Sequence, residues 1–230
     1  MISIIVPAHN EERLIGATLE AIDAAAREAG EPFELIVVDD VSTDRTAEIA
    51  RTHGARIEAV NVHHIAAARN AGARVASGEM LLFVDADTII TGDVLRQAVA
   101  AMRQGAVGGG SGARFEPSAP PWAHRAIGLA AWIMRTAQWA PGCFFFATRD
   151  AFARVGGFDE RYFASEEIHL SRALKRVGRF VILPDKVLTS ARKAEVYSMS
   201  HSLWLMFRML WPGSLKRRDG LEFWYTRRKP

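Results

Sequence analysis

Glu79-Met80-Leu81-Leu82-Phe83-Val84-Asp85-Ala86-Asp87-Thr88 is the stretch that decides the fold. Met80 to Val84 is an apolar run of strand length that stops at two carboxylates separated by one small residue. In an open α/β sheet, ligands gather outside the carboxyl ends of the strands, so a D-x-D there points both acids into a crevice. Ala86 leaves room for a bulky ligand. Two hard oxygen donors suit Mg²⁺ or Mn²⁺, which keep several waters and take their remaining ligands from substrate phosphates. The competing assignment is that the aspartates cap a helix starting near Gly92.

Upstream, the same strand-then-helix pattern occurs twice. Ile2 to Val6 is β-branched and ends at Pro7-Ala8-His9-Asn10, and Leu14, Ile15, Leu19 and Ile22 then give helical spacing through Ala29. Phe33 to Val38 ends in Asp39-Asp40-Val41-Ser42-Thr43-Asp44 ahead of a helix through Ile49. One aspartate here accepts hydrogen bonds from a base or ribose, or else Asp39 and Ser42 only shape the turn and cap the helix. Arg56 to Val62 reads as a weaker strand, and His64 to Ala76 as an Ala-rich helix holding Arg69 and Asn70. His63 and His64 lack metal-ligand spacing and read as ordinary loop histidines.

Downstream, a helix is expected from Asp93 to about Arg103. The five glycines of Gly105 to Gly112 are too many for a regular element and read as a flexible loop or bulged strand. From Pro120-Pro121-Trp122 to Trp139 the spacing predicts a helix with one very apolar side. Core packing accounts for most of it, and a lipid- or acceptor-facing role for Trp122, Trp132 or Trp139 is the alternative. Gly142 to Ala147 reads as a buried strand. After a short helix and Gly156-Gly157-Phe158-Asp159-Glu160, the run Ser165-Glu166-Glu167-Ile168-His169-Leu170 opens a helix with acids in its first turn. Phe180 to Leu183 and Val187 to Ser190 read as short strands around Pro184-Asp185, and a helix over Ser202 to Leu210 leads to a basic tail.

The 230 residues suffice for one large α/β domain, and a single cysteine, Cys143, suits a reducing compartment, so a cytoplasmic location is expected. No run reaches membrane-span length, and the start lacks the pattern of a signal peptide. The net charge of +3 is uneven: Arg208 to Pro230 carries +5, leaving −2 for the rest. That segment, with Trp211, Trp224 and Tyr225, fits an anionic membrane surface at the inner face better than nucleic acid, which is not expected as a partner.

Taken in order, Ile4-Ile-Val-Pro-Ala-His-Asn-Glu-Glu12, Val38-Asp-Asp-Val-Ser42, Ala68-Arg-Asn70, Asp85-Ala-Asp87, Gly156-Gly-Phe-Asp-Glu160 and Glu166-Glu167 resemble the markers of family 2 glycosyltransferases. The resemblance implies a GT-A fold: an α/β, Rossmann-like single domain with a mixed, mostly parallel central sheet and a helical C-terminal tail. It divides the chain into a glycosyltransferase domain over 1–200, with a nucleotide-sugar half (1–103) and an acceptor half (104–200), and an amphipathic basic tail over 201–230.

By the same resemblance, Pro7, Ala8 and Glu11 line the nucleoside pocket, Asp40 holds the base, and Arg69 lies near the base and phosphates. Asp85, beside Ala86, contacts ribose or metal waters, and Asp87 binds Mg²⁺ or Mn²⁺. Glu167 stands where the family usually has an aspartate base, one methylene longer, with Glu166 beside it. His169 stands where the family often has a second acid, and its role stays open. The expected activity is inverting transfer from a nucleotide-sugar donor, UDP first and GDP second, to an acceptor hydroxyl on a lipid-linked or polysaccharide molecule. The alternative of another class is a non-catalytic nucleotide-sugar binder or membrane scaffold of the same fold.

Overall fold

Apolar runs of strand length alternating with amphipathic helices call for a sheet covered on both faces. The computed structural model, which describes residues 1–117 and 119–190, has this architecture. In chain order the elements are β1 (Ile2–Ala8), α1 (Ile15–Ala29), β2 (Phe33–Asp40), α2 (Thr46–Thr52), β3 (Arg56–Val60), α3 (Ile65–Val75), β4 (Met80–Val84) and β5 (Thr88–Ile89). There follow α4 (Gly92–Arg103), β6 (Ala106–Phe115), α5 (Pro121–Thr136), β7 (Phe144–Thr148), α6 (Arg149–Arg154), α7 (Glu166–Val177) and β8 (Arg179–Thr189). The strands form one sheet in the order β3-β2-β1-β4-β7-β6-β8-β5. The pairs β3–β2, β2–β1, β1–β4 and β6–β8 are parallel, while β4–β7, β7–β6 and β8–β5 are antiparallel.

Successive residues of the inner strands feed opposite faces, as the two-residue period requires. Ile4, Val6, Leu82 and Val84 pack with Leu19 and Ile22 of α1 and Leu95 of α4. Ile5, Leu81 and Phe83 pack on the other side with Ala68 of α3 and Leu174 of α7. Truncating a fully buried member such as Leu82 to Ala costs roughly 2–5 kcal/mol. Parallel registers bring Ala8 level with Asp39, and the antiparallel pairing of Val84 with Phe144 brings the residues before β7 to the same edge.

One expectation is narrowed and another changes. Of the flexible loop or bulged strand expected for the glycine run, the structure has the strand: Gly108 to Gly112 lie within β6, between β7 and β8, with register shifts against β8. A Cβ at Gly109 would strike the Phe146 ring and the Val181 carbonyl, and one at Gly110 the Ala140 side chain. The glycines give way to bulk supplied by neighbouring strands. Similarly, the two short strands expected around Pro184-Asp185 are one strand, β8, with a bulge. Ser111 pairs with Leu183 but Gly112 with Lys186, so Pro184, which has no N–H to give the ladder, and Asp185 are displaced from it. Ser111 Oγ donates to the Asp185 carbonyl (2.7 Å) and ties the bulge down.

Among the described residues no helix is long and apolar enough to cross a membrane. The helix expected over Ser202 to Leu210 and the basic tail lie outside the described residues.

Candidate active site

The loops after β1 and β2 are laced together at the carboxyl edge of the sheet. Asn10 N donates to Ser42 Oγ (3.0 Å), Thr43 N to Asn10 Oδ1 (2.8 Å), and Glu11 N to Thr46 Oγ1 (2.7 Å). Pro7 and Ala8 end β1 in buried positions, and Glu11 is buried one turn ahead of α1. Asn10 (φ 55°) and Val41 (φ 58°) both adopt the left-handed region, which is costly for a β-branched residue. Asp39 does what a turn residue does: its Oδ1 accepts from Ser42 N (3.2 Å). Asp40 is 6% exposed, and its two carboxylate oxygens accept from Val62 N (2.8 Å) and His64 N (3.2 Å). It therefore fixes the segment entering α3, which His64 caps through Nδ1.

Arg69 is the centre of the arrangement. Its guanidinium donates to Glu166 Oε1 (2.6 Å), Asp85 Oδ1 (2.7 Å) and the Gly142 carbonyl (2.9 Å), and it lies 5.2 Å from the Phe158 ring centroid. It is 2% exposed and lies against the carboxylates of Asp85 and Glu166. Burial works against its charge, but Asp85, Glu166 and Glu167 outweigh burial and raise its pKa further. One buried cation thus brings together the end of β4, the start of α7 and the segment before β7.

The β4 tip is held by its backbone. Asp85 N donates to the Cys143 carbonyl (3.1 Å), Thr88 N to the Asp85 carbonyl (3.0 Å), and Thr18 Oγ1 to the Ala86 carbonyl (2.9 Å). Ala86 is buried, whereas Asp85 and Asp87 keep partial exposure. The start of α7 presents two acids in different surroundings. Glu166 is 4% exposed and bound to Arg69, while Glu167 is partly exposed. Burial first, and then the neighbouring Glu166 carboxylate, push the Glu167 carboxyl up to about 8, against the pull of Arg69. The residue before them, Ser165, is left-handed (φ 61°) and makes no side-chain cap.

A divalent cation fits the residues present in one way. Among the described residues no cluster of three or more potential ligands exists. Asp87 with Asp85 offers one or two hard oxygens, which suits Mg²⁺ or Mn²⁺ when phosphates complete the shell. Cys143 offers no thiolate, since burial and then Asp85 and Asp87 push its pKa up.

Three supporting residues had no role assigned from sequence. The Asn70 side chain clamps the Gly156–Glu160 loop: Nδ2 donates to the Phe158 carbonyl and to Glu160 Oε1 (both 2.9 Å), and Oδ1 accepts from Phe158 N (2.9 Å). Its place beside Arg69 in the Ala68-Arg-Asn70 marker was the available signal. Gly142 leaves space where a Cβ would lie 3.2 Å from the Arg69 guanidinium and 3.6 Å from the Glu167 carboxyl carbon. Ser171 Oγ donates to the Glu167 carbonyl (2.8 Å) and accepts from Ala140 N (3.1 Å), joining α7 to the segment after α5. His169 stacks on Tyr162 at 3.7 Å.

Acids gathered from β2, β4 and α7 at the carboxyl edge of a mixed sheet stand where an open α/β sheet takes its ligands. Residues 3–164 match the model for glycosyl transferase family 2, and the chain belongs to that family. The match stops just before Glu166.

Validoxylamine A glucosyltransferase of Streptomyces hygroscopicus subsp. limoneus is 34% identical over 111 residues, 46% of this chain and 24% of that protein. Undecaprenyl-phosphate 4-deoxy-4-formamido-L-arabinose transferase of Pseudomonas aeruginosa (strain LESB58) is 30% identical over 139 residues, 56% of this chain and 41% of that protein. The chain thus matches less than half the length of these curated relatives.

Among solved structures, the mannosyltransferase PcManGT of Pyrobaculum calidifontis, in complex with GDP-Man and Mn²⁺, superposes with a TM-score of 0.68 at 24% identity. That match covers 90% of this chain and 60% of that one. S. aureus TarS 1-349 with UDP-GlcNAc gives 0.65 at 20% identity, covering 90% and 64%. At these identities the likeness establishes the GT-A fold.

Proposed function

We propose that the chain is a metal-dependent inverting glycosyltransferase that moves a sugar from a nucleotide-diphospho-sugar to an acceptor hydroxyl. The observation that supports the reading is the convergence of Asp85 and Glu166 on Arg69, which ties the D-x-D tip to the start of the helix that carries Glu167. Residues 1–103 hold the donor, with Pro7, Ala8, Glu11 and Asp40 around the nucleoside, and residues 104–200 receive the acceptor.

Glu167 accepts the acceptor's O–H proton as the oxygen attacks the anomeric carbon, and the bond from that carbon to the diphosphate oxygen breaks with its electron pair leaving on phosphate. A single displacement inverts the centre. Arg69 orients Asp85 and Glu166 without touching the reacting atoms. A divalent cation, when held by Asp87 with Asp85, would offset the charge developing on the diphosphate. UDP is the first donor to try and GDP the second. A lipid-linked acceptor at the inner membrane face agrees with the P. aeruginosa relative, whose name specifies an undecaprenyl phosphate.

The test is a donor screen by nucleotide release with soluble and lipid-linked acceptors, in Mg²⁺, in Mn²⁺ and in excess chelator. Acceptor-dependent release that vanishes in chelator and in Asp87→Ala is expected. Full transfer in chelator would remove the metal from the reading. Donor binding without transfer to any acceptor would favour the non-catalytic alternative.

A further inference from the structure

Helix α5 turns one side to the protein and another, apolar one, to solvent. Ala123 is buried and Ile127 packs against the main core, whereas Leu129, Trp132 and Ile133 are 55%, 65% and 42% exposed. Spaced at three and four residues, these three share a face with Arg125 and Thr136, both exposed. The charge along α5 itself has one sign. Between Glu116 and Asp150 the chain has no acidic residue, and His124, Arg125 and Arg135 are exposed on α5 itself.

The basic surface continues onto α7, whose Arg172, Lys175 and Arg176 are exposed and which has no acid beyond Glu167. The two helices are joined here. Arg172 lies over the Trp139 ring at 4.7 Å, and Lys175 Nζ donates to the Ala137 carbonyl (2.9 Å). An exposed Trp-Leu-Ile face with cations along its own helix and on α7 is what an interfacial helix needs: the apolar side chains enter the headgroup boundary while the basic ones meet anionic lipid.

We propose that α5, with the adjoining basic face of α7, is a docking surface for an anionic lipid bilayer on which α5 lies flat. Charge complementarity selects this occupant over a second copy of the chain, since two such basic faces would repel. The placement has a consequence for the site. The chain leaving α5 reaches Gly142 within a few residues, and Ala140 is bonded to the Ser171 that holds Glu167. A docked α5 therefore sets the crevice beside the lipid surface.

The experiment is sedimentation of the full chain with vesicles of phosphatidylcholine alone and of phosphatidylcholine with phosphatidylglycerol. Three proteins are compared: wild type, Leu129→Glu/Trp132→Glu, and Lys216→Glu/Arg217→Glu/Arg218→Glu. Wild type should pellet with the anionic vesicles, and the α5 variant should bind them at least roughly tenfold more weakly with its melting temperature kept. Donor-nucleotide binding by calorimetry should be unchanged in that variant, and because vesicle binding needs no donor, the result stands apart from the transferase reading. A milder Leu129→Ser/Trp132→Ser variant serves if the glutamates impair folding. The proposal is overturned if the α5 variants bind vesicles like wild type, if only the 216–218 variant loses binding, if wild type ignores anionic vesicles, or if the α5 variants instead dissociate a dimer.

Discussion

Replacing Glu167 with Gln should give a protein that is nearly inactive and, at alkaline pH, more stable than its parent. In the fold the Glu167 carboxyl holds its proton up to about 8, against an ordinary value of 4.5. The contribution of this group to stability is therefore fully present below pH 4.5 and is lost as pH rises through 8. Glutamine stays neutral and escapes that loss. Its advantage over wild type should grow between those limits to at most about 5 kcal/mol, less whatever relaxation and water recover.

Activity should move the other way. A base titrating there makes wild-type kcat/KM fall about tenfold per pH unit below the pKa, so that at pH 6 about 1% of the plateau remains. Glu167→Gln should lack this limb and turn over roughly a hundredfold or more slowly, with donor affinity within about threefold. The assays are thermal melts from pH 4 to 9, a pH–rate profile at saturating acceptor, and calorimetric donor titration. A variant destabilised equally at every pH, with the acid limb intact, would refute the assignment.

Arg69→Met should lower stability by roughly 3–5 kcal/mol, because it strands Glu166 in a buried site, whereas removing the exposed Arg45 of the Arg45–Glu48 pair should leave the melting temperature unchanged. Gly157→Ala should cost about 2–4 kcal/mol and Gly156→Ala only about 1: both have positive φ, but only at 157 would the new Cβ meet Asn70 Oδ1 (2.7 Å). Denaturant melts of the two, with Asn70→Ala as a third, would isolate that contact. Val41→Gly should raise stability by about 1 kcal/mol by relieving a left-handed β-branched residue; a loss would show that the Val41 side chain has a partner.

The sequence disclosed the strands and helices of the first half because their periodicities are local. It also disclosed the acids at the strand ends, since a carboxylate closing an apolar run is visible in one dimension. What it hid depends on tertiary approach. Nothing within Gly105–Gly112 reveals that Phe146 and Ala140 fill the space those glycines leave, so sequence could not choose between a loop and the bulged strand that the structure has. The ion pairs of Arg69 with Asp85 and Glu166 were hidden because those partners lie on other elements. Asn70 shows in sequence only as part of the Ala68-Arg-Asn70 marker, because the loop it clamps lies far along the chain at Phe158 and Glu160. The Pro184-Asp185 pair was read as a break because a bulge and a chain end look alike in sequence.

The Arg69 bridge also bears on recombining parts of this fold. Its cation comes from the half assigned to the donor, and one of its two acids from the half assigned to the acceptor. A chimera joining residues 1–103 to a foreign second half would inherit Arg69 already paired with Asp85, with its second acceptor left to the graft. Grafts supplying an acid at the position of Glu166 keep both guanidinium bonds, while grafts lacking one leave an Arg69 N–H without its acceptor in a dry interior. Acceptor halves are therefore exchangeable here only as a set that carries this carboxylate, and libraries of such hybrids should be filtered on it before any loop is varied.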